Sequence, residues 1–88
     1  NVIRTSNSIW FSTFDKGIYQ FDVQTKDVTH FVHDVNNPNS LLSNSVRHAY
    51  ELSTGDICFA TDGGVSILNR QTNTFHILLD QYDWNFSS

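Results

Sequence analysis

The sequence predicts an all-β chain of about two four-stranded antiparallel units, the first of them incomplete. Three observations lead there. Val, Ile and Thr contribute 21 of the 88 residues, whereas Ala and Glu contribute 3. β-Branched and aromatic side chains fit a pleated, half-buried surface, while Ala and Glu favour helices. Short apolar runs are separated by clusters of Ser, Asn, Asp and Gly, which is the chemistry of tight turns. The third observation is an internal repeat with a period of just under about fifty residues. No stretch sustains apolar residues at i, i+3, i+4 and i+7.

Ile9 to Thr13 is expected to be a strand, followed by a turn through Asp15, Lys16 and Gly17. Ile18 to Asp22 is the next strand, Gln24 to Asp27 the next turn, and Val28 to His33 a further strand. A long polar connection then leads to a strand over Val46 to Leu52 and a turn from Ser53 to Asp56. Ile57 to Thr61, the turn Asp62-Gly63-Gly64, Val65 to Asn69, the turn Arg70 to Asn73 and Thr74 to Leu79 complete the series. Neighbours joined by such short turns pair antiparallel.

The repeat is read directly from the residues. Ile9, Phe11 and Thr13 match Ile57, Phe59 and Thr61 at an offset of 48. With one residue gapped in the first turn, Gly17, Gln24 and Thr25 match Gly64, Gln71 and Thr72 at an offset of 47. Similar pairs occupy the same frame: Ile18 with Val65, Phe21 with Leu68, Asp22 with Asn69, Val28 with Phe75 and Phe31 with Leu78. Six identities over about twenty aligned positions exceed the one or two, roughly, that ordinary composition supplies.

About four strands per repeat, at this period, is the signature of a β-propeller blade. The strands IWFST (9–13) and ICFAT (57–61) carry no charge on either face, as expected where neighbouring blades cover both sides. A two-sheet sandwich predicts alternation of polar and apolar residues, which these strands lack, and does not predict a repeat. In the repeat frame Val2 to Thr5 align with Tyr50 to Ser53, so the first unit is expected to lack most of its first strand. The expected organisation is an incomplete blade over 1–33, a connection over 34–45, a complete blade over 46–79, and a tail or the start of another element over 80–88. A chain that starts at Asn1 and contains no Met is further expected to be a piece of a longer protein.

The order of these motifs resembles the two-component regulator propeller repeats. A blade of that family reads as a Val-containing strand, an Asp/Gly turn, Leu/Ile-Trp-Ile-Gly-Thr, a Gly-rich turn, Gly-Leu-x-x-Tyr/Phe-Asp, a Thr-Gly-Lys-Phe-like turn and a final strand. IWFST (9–13), GIYQFD (17–22), QTKDV (24–28), ICFAT (57–61), GGVSILN (63–69) and QTNTF (71–75) follow that order, and NPNSLLSNSV (37–46) resembles the inter-blade segment. The resemblance covers residues 1 to about 79. It departs at Cys58, which stands where Trp10 stands in the first unit, and at Ser12 and Ala60, which replace the Gly before Thr. Kelch repeats are the nearest competitor through Gly63-Gly64, but the first unit has no such pair.

The resemblance implies a non-catalytic sensor role in the periplasmic region of a bacterial hybrid two-component regulator. Such regions precede a membrane helix, a histidine kinase and often a DNA-binding output module. Many relatives, in gut Bacteroidetes, sense oligosaccharides from dietary or host glycans. The implied partners are other blades of the same protein, with an oligosaccharide as ligand; apart from the resemblance, the apolar faces of two open blades predict self-association or ordering by the rest of the parent protein. The alternative is an architectural or protein-binding, kelch-like propeller with no small ligand.

Composition excludes several other classes. The net charge is −4 with five Lys and Arg, too few cations to replace phosphate counterions or to bind an anionic membrane surface. The longest apolar runs, such as Ile77-Leu78-Leu79, fall far short of a bilayer span. A single Cys leaves no intrachain disulfide.

Candidate chemistry is sparse. His30, His33 and Asp34 form the tightest set of metal-ligand types, but strand residues three apart point to opposite faces, so no metal is expected there. His48 and His76 have no second ligand at motif spacing. Cys58, in the slot of Trp10, is expected to be a buried packing thiol. No Gly-x-Ser-x-Gly elbow positions a nucleophile. Gly63-Gly64 lacks the helix and Lys-Ser/Thr of a phosphate loop and is explained by a hairpin requiring positive φ. Core packing is the expected role of Trp10, Tyr19 and Tyr50. Asn85-Phe86-Ser87 is a glycosylation sequon in form, and Tyr82 and Trp84 fall in the tail. No catalytic residue, cofactor or ligand contact is assigned. The positions expected to define the blades are Trp10, Thr13, Gly17, Phe21, Asp22, Thr25, Phe59, Thr61, Gly64, Leu68, Thr72 and Phe75.

Overall fold

Alternating side chains and closely spaced turns fold the chain into two antiparallel meanders. The computed structural model describes residues 1–78. The first sheet contains β1 (Val2–Arg4), β2 (Ser8–Ser12), β3 (Ile18–Asp22) and β4 (Val28–Phe31). The second contains β5 (Val46–Glu51), β6 (Ile57–Thr61), β7 (Gly64–Asn69) and β8 (Thr74–Ile77). Each sheet has its four strands in sequence order, and all pairs are antiparallel. These are two propeller-like blades that do not close into a ring. β1 has three residues against six in β5, so the first blade is the incomplete one. The tail over 80–88, with Leu79, the sequon and the aromatics Tyr82 and Trp84, lies outside the described residues.

Two expectations are corrected. β4 ends at Phe31 and does not run to His33. Past Phe31 the backbone turns to the connection, where the His33 N–H donates to Asn44 Oδ1 at 2.6 Å. The first-strand frame is also shifted by one residue. Arg4 pairs with Ile9 as Glu51 pairs with Ile57, so Val2, Ile3 and Arg4 correspond to Ala49, Tyr50 and Glu51. The segment between the paired residues Arg4 and Ile9 is one residue shorter than that between Glu51 and Ile57, which contains Gly55 at φ 93°.

Strand pairing sorts side chains onto faces. Ser8, Trp10 and Ser12 share a face with Ile18, Gln20 and Phe31. In the second blade Ala49, Ile57, Phe59, Ser66, Leu68 and Phe75 share a face. These two faces meet to form one core, which also takes Leu41 and Val46. Trp10 packs on Phe59 with ring centroids 6.1 Å apart, and Phe31 meets Phe75 edge-on at 5.6 Å. Arg70 lies over the Trp10 ring at 4.8 Å from its centroid, adding a cation–π contact across the interface. Burial of Trp10 contributes about 2–3 kcal/mol.

The connection between blades is mostly polar, yet Leu41 is fully buried in the shared core. Backbone bonds hold the segment in place: Gly17 N–H donates to Asn44 C=O at 2.9 Å, and Phe75 N–H to Asn39 C=O at 2.8 Å. Val46 N–H donates to Thr13 C=O at 2.8 Å, tying the start of β5 to the β2–β3 turn. The strands expected to be covered on both sides are covered on one. Each blade has its neighbour on only one side here, and its other face stays partly exposed.

Candidate functional site

The repeated motif residues build turns and core. Thr13 and Thr61 close equivalent hairpins. Thr13 Oγ1 donates to Gly17 C=O at 2.8 Å and accepts Lys16 N–H at 2.9 Å. Thr61 Oγ1 donates to Gly64 C=O at 2.7 Å and accepts Gly63 N–H at 3.1 Å. Gly17 and Gly64 both have positive φ, 78° and 130°. In the Gly63-Gly64 pair only Gly64 is in this region.

Asp22 and Asn69 organise the next turn. Asp22 Oδ1 accepts the N–H groups of Gln24 and Thr25 at 2.9 and 3.0 Å. Asn69 Oδ1 accepts those of Gln71 and Thr72 at 2.9 and 3.2 Å. Lys26 and Asn73 then take φ of 69° and 57°. The Thr25 hydroxyl accepts Asp27 N–H, and the Thr72 hydroxyl bonds the Thr74 hydroxyl. Trp10, Phe59, Leu68 and Phe75 are buried in the shared core. Phe21, on the opposite face of the first blade, is half-buried.

The histidines do not converge. His30 stacks on Tyr19 with centroids 4.0 Å apart and planes 3° from parallel. His33 lies in the connection, with its Nδ1 2.8 Å from Leu41 C=O. Among the described residues no group of three or more His, Cys, Asp or Glu side chains gathers at a point.

Cys58 corrects an expectation. It is half-buried, not buried, because it points away from the face that meets the first blade. Partial desolvation pushes its thiol pKa up, so the thiolate that nucleophilic chemistry requires is disfavoured. Tyr50 is likewise 58% exposed and does not pack in the core, while Tyr19 is half-buried.

Among the described residues, a cleft of about 250 Å³ lies where the connection meets β4 and β8. Phe31 and Phe75 contribute to its lining, with Asn37, Asn39, Asn73 and Asp34 around them. Much of its polar capacity already shapes the connection. Asp34 Oδ1 accepts Asn36 N–H, Asn37 Oδ1 accepts Asn39 N–H, and Asn73 Oδ1 accepts from Arg70. Sequence reasoning missed this cleft, because its residues come from β4, the connection, the β7–β8 turn and β8. The Leu41-Leu42 pair inside a polar stretch was the available signal that the connection is anchored.

One exposed ion pair stands apart from the core: Arg47 Nε to Asp62 Oδ1 at 2.5 Å. Ser45 Oγ donates to the other carboxylate oxygen at 2.7 Å. The Ser45 hydroxyl, and then Arg47, hold the Asp62 carboxyl below the usual range.

The class defined by fold and site is an all-β protein of two propeller-like blades whose repeated residues form its turns and core. No protein-family model matches the chain, and no curated protein matches it in sequence.

Proposed function

We propose that the chain is a non-catalytic segment of a sensor propeller, part of the periplasmic region of a bacterial hybrid two-component signalling protein. In this reading it contributes to detecting an extracytoplasmic oligosaccharide. The observation that supports the reading is the double occurrence of one ordered motif set. Strand, Thr-closed hairpin, Gly turn, Asp/Asn-anchored turn and final strand recur in the order that resembles the two-component regulator repeats. The cleft between the blades supplies the kind of surface such a ligand uses, with aromatic carbon flanked by Asn and Asp side chains.

Calorimetric titration of the extracytoplasmic region containing these blades against a panel of oligosaccharides tests the reading. Saturable heat is expected for at least one, reduced at least about tenfold by Asn39→Ala. A flat response to the whole panel favours the second reading, an architectural or protein-binding propeller. The specific observation behind that alternative is the apolar character of the outward face of the first blade, with Val2, Phe11 and Val28 all exposed.

A further inference from the structure

The side chains around the cleft at β4, the connection and β8 have orientations already set by other bonds. Asn37 Oδ1 accepts the Asn39 N–H, and Asn73 Oδ1 accepts from Arg70. A side-chain amide has one carbonyl and one NH2, so each of these residues keeps its NH2 donor uncommitted. Asp34 Oδ1 accepts the Asn36 N–H at 2.9 Å, while Oδ2 takes no hydrogen bond among the described residues. Asn39 is engaged through its backbone N–H and C=O, which leaves both ends of its side-chain amide open. The cleft therefore offers several neutral donors beside one carboxylate oxygen, with Phe31 as apolar surface.

The fixed charge there has one sign. Asp34 lines the cleft, and among the described residues no Lys or Arg does. Arg70 reaches Asn73 Oδ1, but its guanidinium stands over the Trp10 ring and is not part of the lining. Residues 79–88 contain Asp80 and Asp83 and no Lys or Arg, in a chain of net charge −4. The lining comes from both blades and the connection that joins them, so the site is formed within this chain.

From this we infer that the cleft takes a neutral saccharide and discriminates against uronates, with Asp34 as the residue that sets the preference. The inference rests on the sensor reading above and names the class of its ligand. A sugar hydroxyl both donates and accepts, so neighbouring hydroxyls can donate to Asp34 Oδ2 and accept from the Asn NH2 groups. A uronate has a carboxylate in place of the C6 hydroxyl. That group only accepts, and it brings negative charge toward Asp34 with no cation in the lining to offset it. Asp34 is exposed, and in water-like surroundings two like charges about 4 Å apart weaken binding about fivefold, more where the ligand excludes water.

The test is calorimetric titration of the extracytoplasmic region containing these blades with gluco-, galacto- and manno-oligosaccharides, each paired with the counterpart oxidised to the uronate at C6. The neutral member of a binding pair is expected to bind at least about fivefold more tightly. Asp34→Asn retains an Oδ1 for the Asn36 N–H and removes the charge, so the ratio is expected to fall to within about twofold. Asp34→Ser, whose hydroxyl can accept the same N–H, replaces it if circular dichroism shows that the first variant has not folded. Equal affinities in the wild type, or tighter binding of the uronate, overturn this inference and leave the sensor reading in place. A preference for the neutral member that the folded variant leaves unchanged overturns it as well, because the discrimination then lies away from Asp34. No heat from any pair overturns the sensor reading, and this inference with it.

Discussion

Asp22 and Asn69 occupy the same turn position, and each side-chain oxygen accepts two backbone N–H bonds. Only Asp22 titrates. The N–H groups of Thr25 and then Gln24 hold its carboxyl below the ordinary range. A depressed folded-state pKa gives stabilisation that is present above the unfolded value of about 3.9 and lost as pH falls through the folded value. Asp22→Asn is expected to keep the turn, as Asn69 does, and to flatten part of the stability loss on acidification. Urea midpoints from pH 7 down to pH 2 measure this. The residual slope is expected to fall again in Asp22→Asn/Asp62→Asn, since Asp62 is depressed in the same direction.

Backbone conformation gives a second residue-scale prediction with opposite signs at two positions. A Cβ on Gly17 would lie 2.2 Å from the Phe31 carbonyl oxygen, at φ +78°. Gly17→Ala is therefore expected to destabilise the fold by at least about 2 kcal/mol, through left-handed strain and a backbone clash. Lys26 holds φ 69° without being Gly, and Lys26→Gly is expected to stabilise by about 1 kcal/mol by relieving the Cβ conflict. Chemical denaturation of both variants decides each sign.

At the scale of elements, the connection over 34–45 is a structural member of both blades. It places Leu41 in the core at 0% exposure and bonds through its backbone to Gly17 and Phe75. Leu41→Ala is expected to cost about 2–5 kcal/mol, as core truncations do, whereas Leu42→Ala at a half-buried position costs less. The strands themselves were legible in the sequence, because β-branched and aromatic content and turn chemistry act over a few neighbouring residues. The C-terminal end of β4 and the frame of β1 were not. A strand ends where its next backbone partner lies elsewhere, here on Asn44, and no local pattern encodes that. The cleft was illegible for the same reason, as its residues are gathered from β4, the connection and the end of the second blade.

For the whole molecule, the aromatic contacts bind the sheets into one cooperative unit. Trp10 touches Phe31 within its own blade and Phe59 in the next, and Phe31 and Phe59 both meet Phe75. With nearly all buried apolar side chains in that shared layer, neither sheet retains a core alone. The blades are therefore expected to unfold in one transition, with far-UV dichroism and tyrosine-region absorbance coincident. Two separated transitions would show that each blade is an independent folding unit.

The sequence by itself determined the all-β class, the two repeated units, the turn-forming residues and the position of the incomplete first blade. Those features follow from side-chain period and backbone preference, which are local and recur at a fixed spacing. Tertiary structure alone decided which face of each blade is covered. It buried Trp10 while leaving Cys58, its repeat partner, half-exposed, and it buried Phe59 while leaving Phe11 open. Equivalent positions in a repeat have the same local environment along the chain. What distinguishes them is whether a neighbouring sheet lies on that side, and this is a property of the assembled fold.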